Sequence, residues 1–285
     1  RRYGHTTRWE VAAMKAAMIL GRFLVNAGWV DRGTTVDRII IGDPEKEVQR
    51  ALVSWMSDFR AVRAAVAGEF DLLVTHEPTF WTHRDEVQTI ETWEADSPRG
   101  RIAAEKRRFI EDSGLVILRC HDVWDGMPEI GIPWSWAKFL GLGDTPAALG
   151  PGSYQQRYDI PPVRLDALAR TVAERTATVG EPAVQVVGDG DQLVSKVGIG
   201  TGCYCNPQLF QQLGCDVSIV CDDGNWYWES IQCAVDAGHA IIRVNHGTSE
   251  EAGMVALAQY INGHFPGVKA EHLPHGCCFR LVGRV

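Results

Sequence analysis

The chain has 285 residues, of which 45% are hydrophobic and 22% charged, a balance that excludes a disordered, collagen-like or coiled-coil polymer. At about 150 residues per domain the length holds one large domain or two ordinary ones. Lys and Arg number 28 against 36 Asp and Glu, a formal charge of −8 with no basic run, which argues against a nucleic-acid partner held through its phosphates. The longest early apolar stretch, Val11 to Trp29, is broken by Lys15, Arg22 and Asn26, so it is neither a membrane span nor a signal segment. The eight cysteines include no C-x-x-C pair and read as small, reduced residues, which places the protein in the cytoplasm. The chain begins with Arg, so its natural start is expected upstream.

Thr7-Arg-Trp-Glu10 has the form of a capping box and opens an amphipathic helix through Met14 and Met18. Val36 to Ile41 reads as a strand. Asp43-Pro44 then suits the start of a helix running to about Ala67. Leu72 to Thr75 and Leu115 to Arg119 read as buried strands separated by a polar helical region. Gly141 to Pro162 is rich in Gly, Pro and polar residues and marks a crossover between two lobes, placed at residues 1–150 and 151–285. The second half repeats the pattern: a helix over Arg164 to Thr178, strands at Ala183 to Val187 and Lys196 to Ile199, a helix from Pro207, and strands at Val217 to Cys221 and Ala240 to Val244. Glu69 to Glu77 faintly echoes Gly214 to Asp222. Alternating strands and helices predict an α/β fold of two related lobes, each a mixed or mostly parallel sheet flanked by helices.

Ligands of such sheets bind beyond the carboxyl ends of the strands, where loops converge. Three runs end in histidine: Leu72 to Thr75 leads into His76-Glu77, Leu115 to Cys120 into His121-Asp122-Val-Trp-Asp125, and Ala240 to Asn245 into His246. Imidazole together with carboxylate suits Zn, Mn, Fe or Ni, and carboxylates can bridge two ions. Thr248-Ser-Glu-Glu251 is a second capping box, which sets His246 ahead of the helix and Glu250 in its first turn, converging without a shared helix face. Glu250 serves equally as a ligand or as a carboxylate favoured by the helix dipole. His121 can orient a carboxylate, and His83 can fold back over the site. The remaining histidines read as surface or hydrogen-bonded residues. Val197-Gly-Ile-Gly-Thr-Gly-Cys203 suits either an anion at a helix start or close packing. No serine or cysteine nucleophile motif occurs.

The blocks D-L-L-V-T-H-E-P-T-F, C-H-D-V-W-D-G, V-G-I-G-T-G and N-H-G-T-S-E-E-A-G, ending in H-F-P-G-V, resemble the Nif-three-like family, the NGG-one-interacting-factor group also called GTP cyclohydrolase I type 2 homologues. The resemblance runs from about Val36 to the C-terminus. It implies a two-lobed protein with two divalent ions in the cleft between lobes, assembled as a dimer or hexameric ring. Carried over by position, the metal ligands are His76, Glu77, Asp125, His246 and Glu250, with His121 as the leading His of its block and Asp122 as a competing ligand. Glu77 stands where the family's second histidine stands, which favours Mn, Fe or Mg-like ions over a histidine-rich zinc site.

Two function classes follow. One is a hydrolase that uses metal-activated water on a nucleotide-like or phosphoester small molecule, with Glu77 or Asp122 as general base and His121 or His83 as proton carrier. The other is a non-catalytic metal-binding regulatory, chaperone or interaction protein.

Overall fold

A computed structural model describes residues 13–85, 93 and 96–282; the Thr7 capping box lies outside them. After helix α1 (Ala16–Val25) and strand β1 (Arg38–Ile41), the helix expected from Asp43-Pro44 does not form. Asp43 Oδ1 instead accepts the Glu45 N–H at 2.9 Å and closes a turn, and Arg50–Met56 extends as strand β2. Ala51, Leu52, Val53 and Ser54 are all buried, so this strand is covered on both faces and carries no alternation by which to tell it from a helix. Only Phe59–Ala67 is helical (α2), and Asp58 caps it by accepting the Ala61 N–H at 2.7 Å. Strand β3 (Leu72–Glu77), helix α3 (Pro98–Ser113), strand β4 (Val116–Arg119), the single turn α4 (Asp122–Asp125) and helix α5 (Ile132–Leu140) follow.

The predicted crossover is in fact largely structured: after the short β5 (Ala148–Leu149), strand β6 (Gln156–Arg164) occupies its end and leads into α6 (Leu165–Ala177). Then come β7 (Gln185–Val187), β8 (Leu193–Ile199), α7 (Pro207–Gln212), β9 (Val217–Cys221), α8 (Gln232–Asp236), β10 (Ala240–Val244), α9 (His246–His264) and β11 (Lys269–His272).

Two sheets result, in the orders β1-β4-β3-β2-β11 and β5-β6-β8-β9-β10-β7. Each has a parallel centre with antiparallel additions: β1 on β4 in the first, β6 on β8 and β7 on β10 in the second. The chain comes back to the first sheet at its end, where β11 pairs in parallel with β2. In that sheet Val53, Val74 and Leu118 face α1 and α9, while Leu52, Leu73 and Ile117 face α2 and α3, the two-sided burial of a parallel sheet. A separate core joins β8, β9 and β10 to α6 and to Trp136 of α5. Cys120, Cys205, Cys215 and Cys221 are buried, and all eight thiols are free.

The sequence echo has a structural counterpart. Glu69 and Gly214 both adopt positive φ, +55° and +72°, and turn the chain into β3 and β9. Two residues further on, Asp71 accepts the Gln49 and Arg50 N–H groups at 2.9 and 3.0 Å, and Asp216 accepts those of Ser195 and Lys196 at 3.0 Å each. In both sheets an aspartate at the entry of one strand thus ties down the backbone of its neighbour, at the start of β2 and within β8.

Candidate metal centre

The strand ends bring the sequence-predicted residues together. The His76 ring sits beside the Cys120 carbonyl, 3.1 Å from Nδ1. A carbonyl can only accept, so the proton lies on Nδ1 and the Nε2 lone pair points away. It points at Asp125 Oδ1 (3.5 Å) and Glu250 Oε2 (3.4 Å). His246 Nε2 faces Glu250 Oε1 at 3.0 Å and Glu77 Oε1 at 3.5 Å. Among the described residues the buried His76 Nε2 has no hydrogen-bond partner, whereas the Glu250 and Glu77 carboxylates in front of His246 raise that imidazole against its burial. Burial pulls His76 down to about 3, so its imidazole is neutral. Burial, with Glu250 and Glu77 nearby, lifts Asp125 to about 8 against the pull of His121. For Glu250 burial works upward too, but His246 and His76 outweigh it and hold the carboxyl at about 2.

His246 is the first residue of α9 rather than a residue ahead of it, so the expected capping box does not form. The N–H groups at this helix start are met from other segments: Glu181 accepts from Asn245 at 3.0 Å and Asp222 Oδ1 from His246 at 2.5 Å. Ser249 Oγ donates back to the His246 carbonyl at 2.7 Å, and Glu251 is engaged by His272 at 2.6 Å and by the His275 N–H at 3.0 Å. His246 and Glu250 therefore do share a helix face, one turn apart.

His121 stacks on His76 with centroids 4.5 Å apart and planes at 10°. Its Nδ1 lies 2.8 Å from Asp122 Oδ1 and 3.3 Å from Asp125 Oδ2, and its Nε2 4.0 Å from Glu77 Oε1. Burial opposes protonation of His121, yet Asp125, Asp122 and Glu77 raise it to about 9. Asp122 is directed away from the cluster: its other oxygen accepts the Val36 N–H at 3.2 Å. His83 does fold back, edge-on to His121 at 6.2 Å. Arg119, fully buried, reaches Glu77 Oε2 at 3.5 Å and donates from Nε to the His76 carbonyl at 2.9 Å.

Two contributors escaped the sequence reading. Trp55 Nε1 donates to Glu250 Oε2 at 2.7 Å while its ring packs against His246 and His275. Gly202, at φ +54°, belongs to the glycine-rich segment, which packs closely: Cβ atoms on Gly198 and Gly200 would meet Phe210 at 2.7 and 2.8 Å. A Cβ on Gly202 would come within 3.3 Å of His246 Nε2 and 3.6 Å of Glu250 Oε1. No local pattern signals either role.

A bare buried imidazole nitrogen on His76, three converging carboxylates and a space kept free of side chain at Gly202 fit a cation better than an empty polar core. His76, His121 and Asp125, and likewise His76, Glu77 and Glu250, could each hold a metal ion.

This defines a mixed α/β protein with a group of His, Asp and Glu side chains able to take a metal at its strand ends. Residues 27–275 match the family described as Duf34/NIF3 (NGG1p interacting factor 3), and the chain belongs to that family. A protein of Chlamydia muridarum called GTP cyclohydrolase 1 type 2 homolog is 23% identical over 229 residues, 78% of this chain and 82% of that one. Its namesake in Chlamydia pneumoniae is 21% identical over 235 residues, 79% and 84% of the two chains. A hypothetical protein of Staphylococcus aureus has the same fold, with a TM-score of 0.75 at 16% identity over 95% of this chain and all of that one. A protein of Thermus thermophilus gives 0.69 at 17% identity over 93% and 100%. Among the described residues no helix is long and apolar enough to cross a membrane.

Proposed function

We propose that this chain is a metal-dependent hydrolase holding two divalent ions in the cleft between its lobes, one among His76, Asp125 and Glu250 and the other among Glu77, His246 and Glu250. The observation that carries the reading is the bridging posture of Glu250, which turns Oε2 to His76 at 3.4 Å and Oε1 to His246 at 3.0 Å. A donor set of three carboxylates and two imidazoles suits Mn or Fe as well as Zn or Ni. When bound, the ions would supply Lewis acidity and a water acidified toward neutral pH. The protein's own groups do the rest. His121 lines the cavity and can carry a proton at Nε2, with Asp122 holding its Nδ1 side; Arg119 and Trp55 fix the Glu77 and Glu250 carboxylates. The name borne by the Chlamydia relatives suggests a nucleotide-like substrate.

Elemental analysis of the purified chain tests the first half: metal should be present, and His246→Ala with Glu250→Ala should abolish it. A turnover screen with GTP and simple phosphoesters, with and without chelator, tests the second. Activity that survives exhaustive chelation contradicts the mechanism, whereas retained metal without turnover favours the non-catalytic role. Exposed Trp226, Tyr227 and Trp228 support assembly into a homo-oligomer. Light scattering giving 31.5 kDa at micromolar concentration would refute that.

A further inference from the structure

The cavity above the histidine and carboxylate cluster encloses about 140 Å³, less than half the lower end of the range for drug-sized ligands. Tyr154 and Tyr204 form part of its wall and stack with centroids 4.1 Å apart and planes at 6°.

The loop carrying Tyr154 is built on left-handed backbone. Gly152 sits at φ +67°, where a Cβ would come within 2.4 Å of the Tyr154 ring, and Ser153 follows at φ +64°, a left-handed conformation unfavourable to any residue with a side chain. Gln155 Nε2 donates to the Tyr204 carbonyl at 3.3 Å and ties the two loops together. Strained backbone that survives beside a site is evidence that the geometry it enforces is used there. Burial keeps the Tyr154 hydroxyl up at about 12, so it stays a donor.

Charge narrows the ligand further. Among the described residues no Lys or Arg lines the cavity, and Asp223 adds a carboxylate beside those of the cluster. The nearby guanidinium, Arg119, is fully buried and committed to Glu77 and to the His76 and His83 carbonyls. Two divalent ions opposite Glu77, Asp125, Glu250 and Asp223 leave about no net positive charge, too little for a phosphate chain, which needs several donors or cations.

We propose that this cavity takes a single planar, uncharged, nitrogen-containing ring of nucleobase size, stacked on the Tyr154–Tyr204 pair with its edge toward the His76–Glu250 centre, and that it rejects nucleoside triphosphates. The assignment rests on the cluster being a metal centre, and it narrows the nucleotide-like class to the base. Every base presents a face for stacking, so aromatic contact is indifferent to which ring is offered.

Calorimetry on the metal-loaded full chain, with cytosine and CTP as probes, tests it. Cytosine should bind and CTP should bind at least tenfold more weakly. Tyr204→Ala should weaken cytosine at least tenfold and Tyr204→Phe by less than twofold, with the metal content of both variants unchanged. CTP binding as tightly as cytosine, no cytosine binding, or Tyr204→Ala matching the wild type would overturn the proposal. A chain that holds no ion yet binds cytosine through Tyr204 would sink the metal reading and leave the ring site standing.

Discussion

Gly202→Ala is the sharpest probe of the centre, because one methyl group acts on two separable quantities. The first is backbone strain. At φ +54° an alanine costs about 1–2 kcal/mol. For 285 residues the unfolding entropy is about 0.6 kcal/mol/K, so the melting temperature should fall by about 2–3 °C whether or not metal is present. The second is the ion. The new Cβ lies 3.3 Å from His246 Nε2 and 3.6 Å from Glu250 Oε1, inside the space that their shared cation would use. At a free ion concentration one hundred times Kd, binding stabilises the fold by about 2.7 kcal/mol, and a tenfold loss of affinity lowers that to about 1.4. The gap between wild type and variant should therefore widen from about 2–3 °C in chelator to about 4–5 °C with metal. Paired thermal melts and elemental analysis read both quantities. An equal gap in the two conditions, with metal content unchanged, would refute the placement of an ion beside Gly202.

Two other outcomes follow from the surroundings of the centre. Trp55→Phe keeps a ring against His246 and His275 but removes the N–H that meets Glu250 Oε2 at 2.7 Å; losing a hydrogen bond to a charged group should cost about 2 kcal/mol, or about 3 °C in the melt, and an unchanged melt with unchanged metal content would remove Trp55 from the site. Lys106 donates to the Thr79 carbonyl at 2.7 Å, and burial lowers its ammonium to about 8. Below pH 8 it is protonated in both the folded and unfolded states, and between pH 8 and about 10.4 only the unfolded chain keeps the proton, so stability should rise with pH across that window, by up to about 3 kcal/mol relative to Lys106→Met. A wild-type minus variant difference that stays flat from pH 7 to 10.5 in denaturant titrations would contradict this.

The central strands were legible because Leu72 to Thr75 and Val217 to Cys221 are short, mostly apolar and β-branched runs bounded by turn residues, and the strand-end histidines because parallel strands deliver their carboxyl ends to one edge. Other elements were decided by contacts the local text does not contain. Strand β2 follows Asp-Pro, a helix-start signal, and only its burial between two helical layers makes it a strand. Lys269–His272 is polar and short, and is a strand only because β2 offers it an edge. The start of α9 moved from Thr248 back to His246 because Asp222 and Glu181, remote in sequence, accept the His246 and Asn245 N–H groups, while the Glu251 carboxylate that would close the Thr248 box is taken by His272 and the His275 N–H. Trp55 and Gly202 were missed for the same reason: the first meets Glu250 across 195 residues, and the second matters for the side chain it lacks.

The placement of Glu250 shows how the fold makes the site. His246, Glu250, Met254, Leu257 and Ile261 recur at helical spacing along one face of α9. Met254, Leu257 and Ile261 are fully buried against the first sheet with Val53 and Val74, and β11 pairs with β2 and pins the far end of the helix there. The apolar stripe therefore fixes both the rotation and the height of the helix. Its first two positions, where the stripe passes beyond the ends of β2 and β3, carry an imidazole and a carboxylate instead of hydrocarbon, and they meet His76 and Glu77 there. Burial of Glu250 among these groups is unfavourable by itself, and the packing of three apolar residues along the same face offsets that cost. A helix held so firmly cannot swing its carboxylate aside, so whatever the cluster binds must fit the spacing that the core has already set.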